Sequence, residues 1–277
     1  MRGVLNPAAG RGFLTGMVQE VRREIARGYY DYFPLPDVFL SMQRASLAGA
    51  LSRARQRPAL MVELKHASPG YGTTPLEPLD AERFVGFATR SGVEALSVIP
   101  QPEAFGGSLE EFAEVTRRSP LPVLFKDFVV ATEQLEAARA CGASAVLLLA
   151  RLALSGDLDA PLPQMVASAH RLGMEAVVEV HATEEIETAL SAHPDVVGVN
   201  ARDLETLRLD VAGAVQVLRT IRPGPIPLLA MSGVEGPAEA ARYAEAGAEA
   251  LLVGTAFVRN PDKEAFVRSL RGEARTP

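Results

Sequence analysis

Eight short, almost wholly apolar runs alternate with helical stretches from residue 58 onward in this 277-residue chain. The runs are Leu60–Leu64, Ala95–Ile99, Pro122–Phe125, Ala145–Leu149, Ala176–Val180, Val196–Val199, Pro227–Ala230 and Ala250–Val253. A strand covered by helices on both faces must be apolar at successive positions, which is the pattern of a parallel sheet. The intervening stretches Ala81–Ser91, Thr132–Cys141, Gln164–Leu172, Thr183–Ser191 and Pro237–Ala246 space their apolar residues as helices do.

A weak repeat points the same way. Ser91-Gly92-Val93-Glu94-Ala95, Cys141-Gly142-Ala143-Ser144-Ala145, Leu172-Gly173-Met174-Glu175-Ala176 and Ala246-Gly247-Ala248-Glu249-Ala250 share one arrangement. A helix ends, a glycine takes the left-handed cap, and a strand starts two or three residues later. Eight such units close into a (β/α)8 TIM barrel of about 250 residues. An open doubly wound sheet would carry a glycine-rich phosphate turn after its first strand. Here that strand runs into Glu63-Leu64-Lys65-His66-Ala67-Ser68-Pro69, and Gly10-Arg11-Gly12 follows no strand. The barrel is therefore expected over residues 58–277. Residues 1–57 read as an N-terminal helical extension packed on it within one domain. The extension holds a helix from Phe13 to Tyr29, a break at Pro34-Leu35-Pro36 and a second helix over Ser46 to Gln56.

A net charge of −6 argues against a nucleic-acid partner, which would call for a basic face. It leaves room for a small anionic substrate, because local cations can oppose the global charge. The single cysteine, Cys141, rules out an intramolecular disulfide framework and fits a reducing compartment. With neither a signal-peptide pattern nor a membrane-length apolar run, the expectation is a cytoplasmic protein without a membrane partner, monomeric or homodimeric.

Of 28 lysines and arginines only Lys65, Lys126 and Lys263 are lysine. Arginine serves here as the general surface cation. A lysine kept against that bias can supply what guanidinium cannot, a proton lost on desolvation. Lys263 follows an Asn-Pro-Asp turn and reads as a surface residue, whereas Lys65 and Lys126 close apolar strands.

Chemistry in such barrels sits at the C-terminal ends of the strands. Period-two alternation places Glu63 and Lys65 together at the mouth of strand 1. Lys126 ends strand 3, Glu179 lies inside strand 5, and Asn200 ends strand 6. Each has a plain alternative taken alone: a structural ion pair, a snorkelling cation, a salt-bridge partner, a turn-forming amide. Ser232-Gly233 and Gly254-Thr255 follow strands 7 and 8, where backbone N–H groups and hydroxyls commonly hold phosphate. His181 reads as a loop residue, and the four histidines and one cysteine show no metal-ligand spacing. Two lysines, two carboxylates, an amide and a phosphate cradle suit acid–base chemistry on a phosphorylated carbonyl compound.

These residues resemble the indole-3-glycerol-phosphate synthase family of tryptophan biosynthesis over about residues 60 to 258. The resemblance rests on Glu63-Leu64-Lys65-His66-Ala67-Ser68-Pro69, Phe105-Gly106-Gly107-Ser108, Lys126-Asp127-Phe128, Glu179-Val180-His181, Asn200-Ala201-Arg202-Asp203-Leu204, Ser232-Gly233-Val234 and Gly254-Thr255, in that order. It implies closure of an indole ring on 1-(2-carboxyphenylamino)-1-deoxyribulose 5-phosphate, with loss of carbon dioxide and water and without cofactor or metal. It makes Lys126 the general acid. Lys65 would hold the substrate carboxylate or serve as acid in the dehydration, and Glu179 would stabilise positive charge on the anilino nitrogen or act as base. Glu63 and Asn200 would orient the lysines and substrate hydroxyls. Ser68, Phe105 and Arg202 would bind substrate, and Ser232, Gly233, Gly254 and Thr255 its phosphate.

Departures from the family pattern cluster at the mouth. Met231 stands where the family usually has glutamate, and a thioether cannot titrate. His66, Gly70, Phe125 and Ile99-Pro100-Gln101-Pro102 also differ. Three readings follow: a divergent synthase, another barrel enzyme acting on a related phosphorylated substrate, or a weakly catalytic ligand-binding barrel. The full acid–base set favours the first.

Overall fold

The computed structural model describes residues 12–31, 45–69, 79–222 and 224–272. Eight parallel strands close into a barrel in sequence order. They are β1 (Ala59–Leu64), β2 (Ala95–Val98), β3 (Val123–Phe125), β4 (Ala145–Leu149), β5 (Glu175–Val180), β6 (Val196–Asn200), β7 (Leu228–Met231) and β8 (Ala250–Val253). Every one of the eight expected strands is present, displaced at its ends by no more than a residue.

Closure is carried by β1 pairing with β8, Ala59 opposite Ala250 and Val62 opposite Val253. The remaining strands pair with their sequence neighbours, as in Glu63 opposite Ser97 and Asn200 opposite Met231. All strand residues except Glu175 are buried, which is why the strands lack the polar alternation of a one-sided sheet. At the four αβ turns Gly92, Gly142, Gly173 and Gly247 have φ of 66°, 88°, 75° and 106°, so the repeat was a chain of left-handed caps.

Ahead of the barrel, α1 (Phe13–Ala26) buries Phe13, Leu14, Met17, Val18 and Val21 on one face. It stops three residues short of the Tyr29 expected from the sequence, in a turn where Gly28 has φ 75°. The second helix, α2 (Leu47–Ser52), is likewise shorter than the expected Ser46–Gln56. Ser46 caps it by accepting the Gly49 N–H, and the chain leaves the helix at Arg53 to reach β1. The Pro34-Leu35-Pro36 break, Gly10, Arg11 and Gly70 lie outside the described residues.

Lys263 corrects a second expectation. It is half-buried rather than on the surface, with Nζ donating to the Asn260 carbonyl at 3.0 Å and lying 5.7 Å from the Phe87 ring centre. Its hydrocarbon stem packs while its charge meets a π face. Among the described residues no helix is long and apolar enough to cross a membrane.

Candidate active site

The alternation of β1 turns Glu63 inward, and its carboxylate becomes the counter-ion of two lysines. Lys65, one residue past β1, brings Nζ to 2.8 Å from Oε1. Lys126, one residue past β3, brings Nζ to 3.2 Å from Oε2. The Ser97 hydroxyl donates to Oε2 from the paired position on β2. Glu63 is 2% exposed, so burial alone would favour its neutral form. The two ammonium groups outweigh that and hold its carboxyl down at about 2.

The two lysines do not share one fate. Burial lowers Lys65, with Glu63 opposing and Lys126 adding like-charge repulsion. Burial also opposes the charge on Lys126, but Glu63 and Glu179 together raise it above the ordinary lysine value. Lys126 is the more firmly held cation because it faces two carboxylates.

Across the mouth, Glu179 on β5 accepts a hydrogen bond from Asn200 Nδ2 at 2.8 Å. Asn200 Oδ1 is engaged by the Arg202 N–H at 3.0 Å, which sets the amide with its NH2 toward the carboxylate. Burial raises the Glu179 carboxyl, with Lys126 and Asn200 opposing. Arg202 donates to the Leu207 carbonyl at 2.8 Å. Its charge also reaches Lys65 and Lys126.

At the other end of the cleft, Ser232 and Gly233 have φ of 66° and 73°. Two consecutive left-handed residues are uncommon, and the conformation is costly for serine. The Tyr243 hydroxyl donates to the Ser232 carbonyl at 3.0 Å and helps hold the turn. The Thr255 hydroxyl donates to Ser68 Oγ at 3.4 Å, so the loop after β1 meets the loop after β8. A Cβ at Gly254 would lie 2.6 Å from Glu63 Oε1 and 2.8 Å from Lys65 Nζ. Glycine there lets the ion pair lie against the β8 backbone.

Phe105 forms an aromatic wall with Phe13 and Phe128, ring centres 6.4 and 6.1 Å away. One cleft is lined by Lys65, Lys126, Glu63, Glu179, Asn200, Ser68, Phe105, Arg202, Ser232, Gly233, Gly254 and Thr255. All twelve site residues expected from the sequence thus line one cleft. The cleft also takes in Phe13, Phe128, Leu147, Leu149 and Met231. Phe13 carried no signal in the sequence, since only the seating of α1 over the mouth brings it there. Leu147 and Leu149 were legible as alternate positions of one strand, but a strand without a polar end drew no attention.

Met231 is 1% exposed in the floor of the cleft. A Cβ on the facing Gly198 would meet its Cε at 2.5 Å, so the thioether occupies the space that glycine leaves. His181, read as a loop residue, is half-buried and bonded through Nδ1 to the Asn200 carbonyl at 2.8 Å. Behind Lys126, Asp127 accepts from the Tyr30 hydroxyl at 2.7 Å, and Glu24 accepts from Gln101 Nε2 at 3.0 Å. Burial raises Asp127 to about 6. Burial and the charge of Asp127 raise Glu24 to about 8. Among the described residues no group of three or more His, Cys, Asp or Glu is placed to hold a metal ion.

Solved structures match the fold. One is 3-hexulose-6-phosphate synthase, with a TM-score of 0.59 at 19% identity, covering 77% of this chain and 98% of that one. At that identity the likeness concerns architecture alone. Sequence relatives are nearer. The indole-3-glycerol phosphate synthase of Lactiplantibacillus plantarum is 36% identical over 78% of this chain and 81% of its own length. That of Micrococcus luteus is 39% identical over 82% and 84%, and that of Thermococcus kodakarensis 36% identical over 79% and 94%. The family model described as indole-3-glycerol phosphate synthase matches residues 22–270. Barrel, cleft and relatives agree, and this chain belongs to the indole-3-glycerol phosphate synthase family.

Proposed function

We propose that the protein closes the indole ring of 1-(2-carboxyphenylamino)-1-deoxyribulose 5-phosphate, releasing carbon dioxide and water. The observation that carries this reading is the pairing of Lys65 and Lys126 with the two oxygens of Glu63, in the same cleft as the Glu179–Asn200 pair. The reaction needs protons delivered to a ketone oxygen and then to a departing hydroxyl, and one proton removed as the ring becomes aromatic. A cleft with ammonium groups and a carboxylate of opposite tendencies meets both needs.

Lys126 is the general acid of ring closure. Its two carboxylate neighbours keep it protonated until the ketone oxygen develops negative charge. Lys65, destabilised by burial, holds the substrate carboxylate or protonates the leaving hydroxyl. Glu179, raised by burial, is the base of aromatisation, and Asn200 orients it. Glu63 fixes both lysines. Phe105, with Phe13 and Phe128, packs on the aromatic ring, while Arg202 and Ser68 position the chain of the sugar. The loops at Ser232-Gly233 and Gly254-Thr255 take the phosphate through backbone N–H groups and hydroxyls.

Because Phe13 lines the cleft and its N–H donates to the Glu205 carbonyl at 2.9 Å, residues 1–57 act with the barrel of 58–277 as one catalytic unit. We place that unit, as monomer or homodimer, in the cytoplasm, where its single buried thiol stays reduced. The test is steady-state turnover of the carboxyphenylamino-deoxyribulose phosphate, followed by indole fluorescence against a chain that contains no tryptophan. Turnover that Lys126→Ala abolishes is expected. Wild-type protein that binds the phosphate ester without converting it would overturn the reading.

A further inference from the structure

Glu179 belongs to two cavities. One is the substrate cleft. The other is a small side pocket lined by Leu149, Arg151, Glu179, His181, Glu185 and Leu204. The pocket has room for about one water molecule, and four of its six lining side chains can hydrogen-bond with it. A substrate seated in the main cleft would occupy that face of Glu179, and the side pocket offers its proton a second way out.

The charged groups around the side cavity are committed, with one exception. Arg151 donates from Nε to Glu185 at 2.8 Å and from Nη1 to Asp203 at 3.2 Å. Glu185, 4% exposed, accepts the His181 N–H on its other oxygen at 2.6 Å. His181 has one ring nitrogen assigned by its partner. The Asn200 carbonyl can only accept, so Nδ1 carries the hydrogen. In the neutral ring Nε2 is then the basic nitrogen, and it lies 3.5 Å from Asp203 Oδ2. An imidazolium formed there meets a carboxylate without any rearrangement. Glu185 and His181 both act on the charge of Glu179 across the cavity, the first favouring its protonation and the second opposing it.

The geometry points to His181 as the exit for the proton that Glu179 removes, reached through water in the side cavity and released to solvent past Asp203. This rests on the activity proposed above. In that reaction the lysines deliver two protons, which they regain from solvent, and Glu179 takes one from the carbon beside the anilino nitrogen. The Glu179 O–H bond then breaks, the proton moves to His181 Nε2, and the imidazolium gives it to solvent while Glu179 returns to carboxylate. No electron pair leaves the substrate in this transfer. His181 does not touch substrate in this scheme. It acts through Glu179, and through Asn200 it also fixes the amide that orients that carboxylate.

Two substitutions separate these roles. His181→Asn keeps a side-chain N–H near the position of Nδ1 but cannot take up a proton, and His181→Ala removes both. Turnover of the carboxyphenylamino-deoxyribulose phosphate by wild type comes first. Its absence would overturn the activity itself, whatever the variants do. With wild type active, both variants are expected to lose about 10- to 100-fold in kcat, part of the usual contribution of positioned proton transfer, with KM within about twofold. Millimolar imidazole should restore much of the rate in His181→Ala, which has space for it, and none in Glu179→Gln. A His181→Asn enzyme with wild-type kcat would overturn the exit role and leave His181 as an orienting group. So would a His181→Ala enzyme that imidazole does not rescue.

Discussion

Lys126 Nζ lies 3.2 Å from Oε2 of Glu63, on a carboxylate whose other oxygen already holds Lys65. One buried negative charge thus serves two lysines, and the chemistry assigned to both depends on it. Glu63→Gln would leave the two ammonium groups facing each other, with Glu179 still offsetting Lys126 and Lys65 losing its carboxylate partner. Removing one partner of a buried pair costs about 3–5 kcal/mol, and partial exposure of the lysines places this case toward the lower end. The expected outcome is a fall in the thermal midpoint together with a loss of kcat of at least about 100-fold, read by calorimetry and turnover on the same preparation.

Gly254→Ala tests the same pair from the opposite wall. Its Cβ would fall 2.6 Å from Glu63 Oε1, and Glu63 is too deeply buried to swing away. The lysine geometry should shift by a few tenths of an ångström. We expect kcat to fall about 10- to 100-fold, as misplacement of a reacting group does, with a smaller loss of thermal stability than in Glu63→Gln.

Met231→Glu would add a carboxylate to a cleft that now holds Lys65, Lys126 and Arg202 against Glu63, Asp127, Glu179 and Glu235. A further negative charge favours protonated lysine, and Lys65 is the one that burial has lowered. The basic limb of the kcat profile should move to higher pH. The KM for an anionic substrate should rise, because a further negative charge would face it in the cleft. An unchanged profile would mean that the Met231 position does not face the lysines electrostatically.

Stability should depend on pH through the Glu24–Asp127 cluster. Both carboxyls are raised in the folded chain, Glu24 to about 8 and Asp127 to about 6. Between the unfolded carboxylate values near 4 and those folded values, the native state binds more protons than the unfolded one. Stability therefore falls as pH rises through about 5 to 8. Glu24→Gln should flatten that slope and stabilise the protein most at the alkaline end, as thermal unfolding at pH 5, 6.5 and 8 would show.

The barrel was legible because its cause is local and repeated. Strands such as Ala145–Leu149, buried on both faces, must be apolar at every position, and glycines such as Gly142 must end the helices that return the chain. The polar site was legible for a related reason. A carboxylate at Glu63 or Glu179 and a lysine at Lys65 or Lys126 stand out against an apolar strand, and barrel topology brings all strand ends to one rim. What could not be read were relations between segments distant in sequence that share no periodicity. The seating of α1 brings Phe13 against Phe105 and Phe128 and sets Glu24 and Tyr30 behind Asp127. His181 gains its part only when the turn after β5 folds back onto the Asn200 carbonyl and Asp203. Strand pattern specifies which residues line a face, because that depends on neighbours one and two positions away. Which faces then meet, and how far their shared burial shifts a carboxyl or a lysine, is settled by packing between elements far apart in sequence, as between Thr15 and Glu205, 190 residues apart.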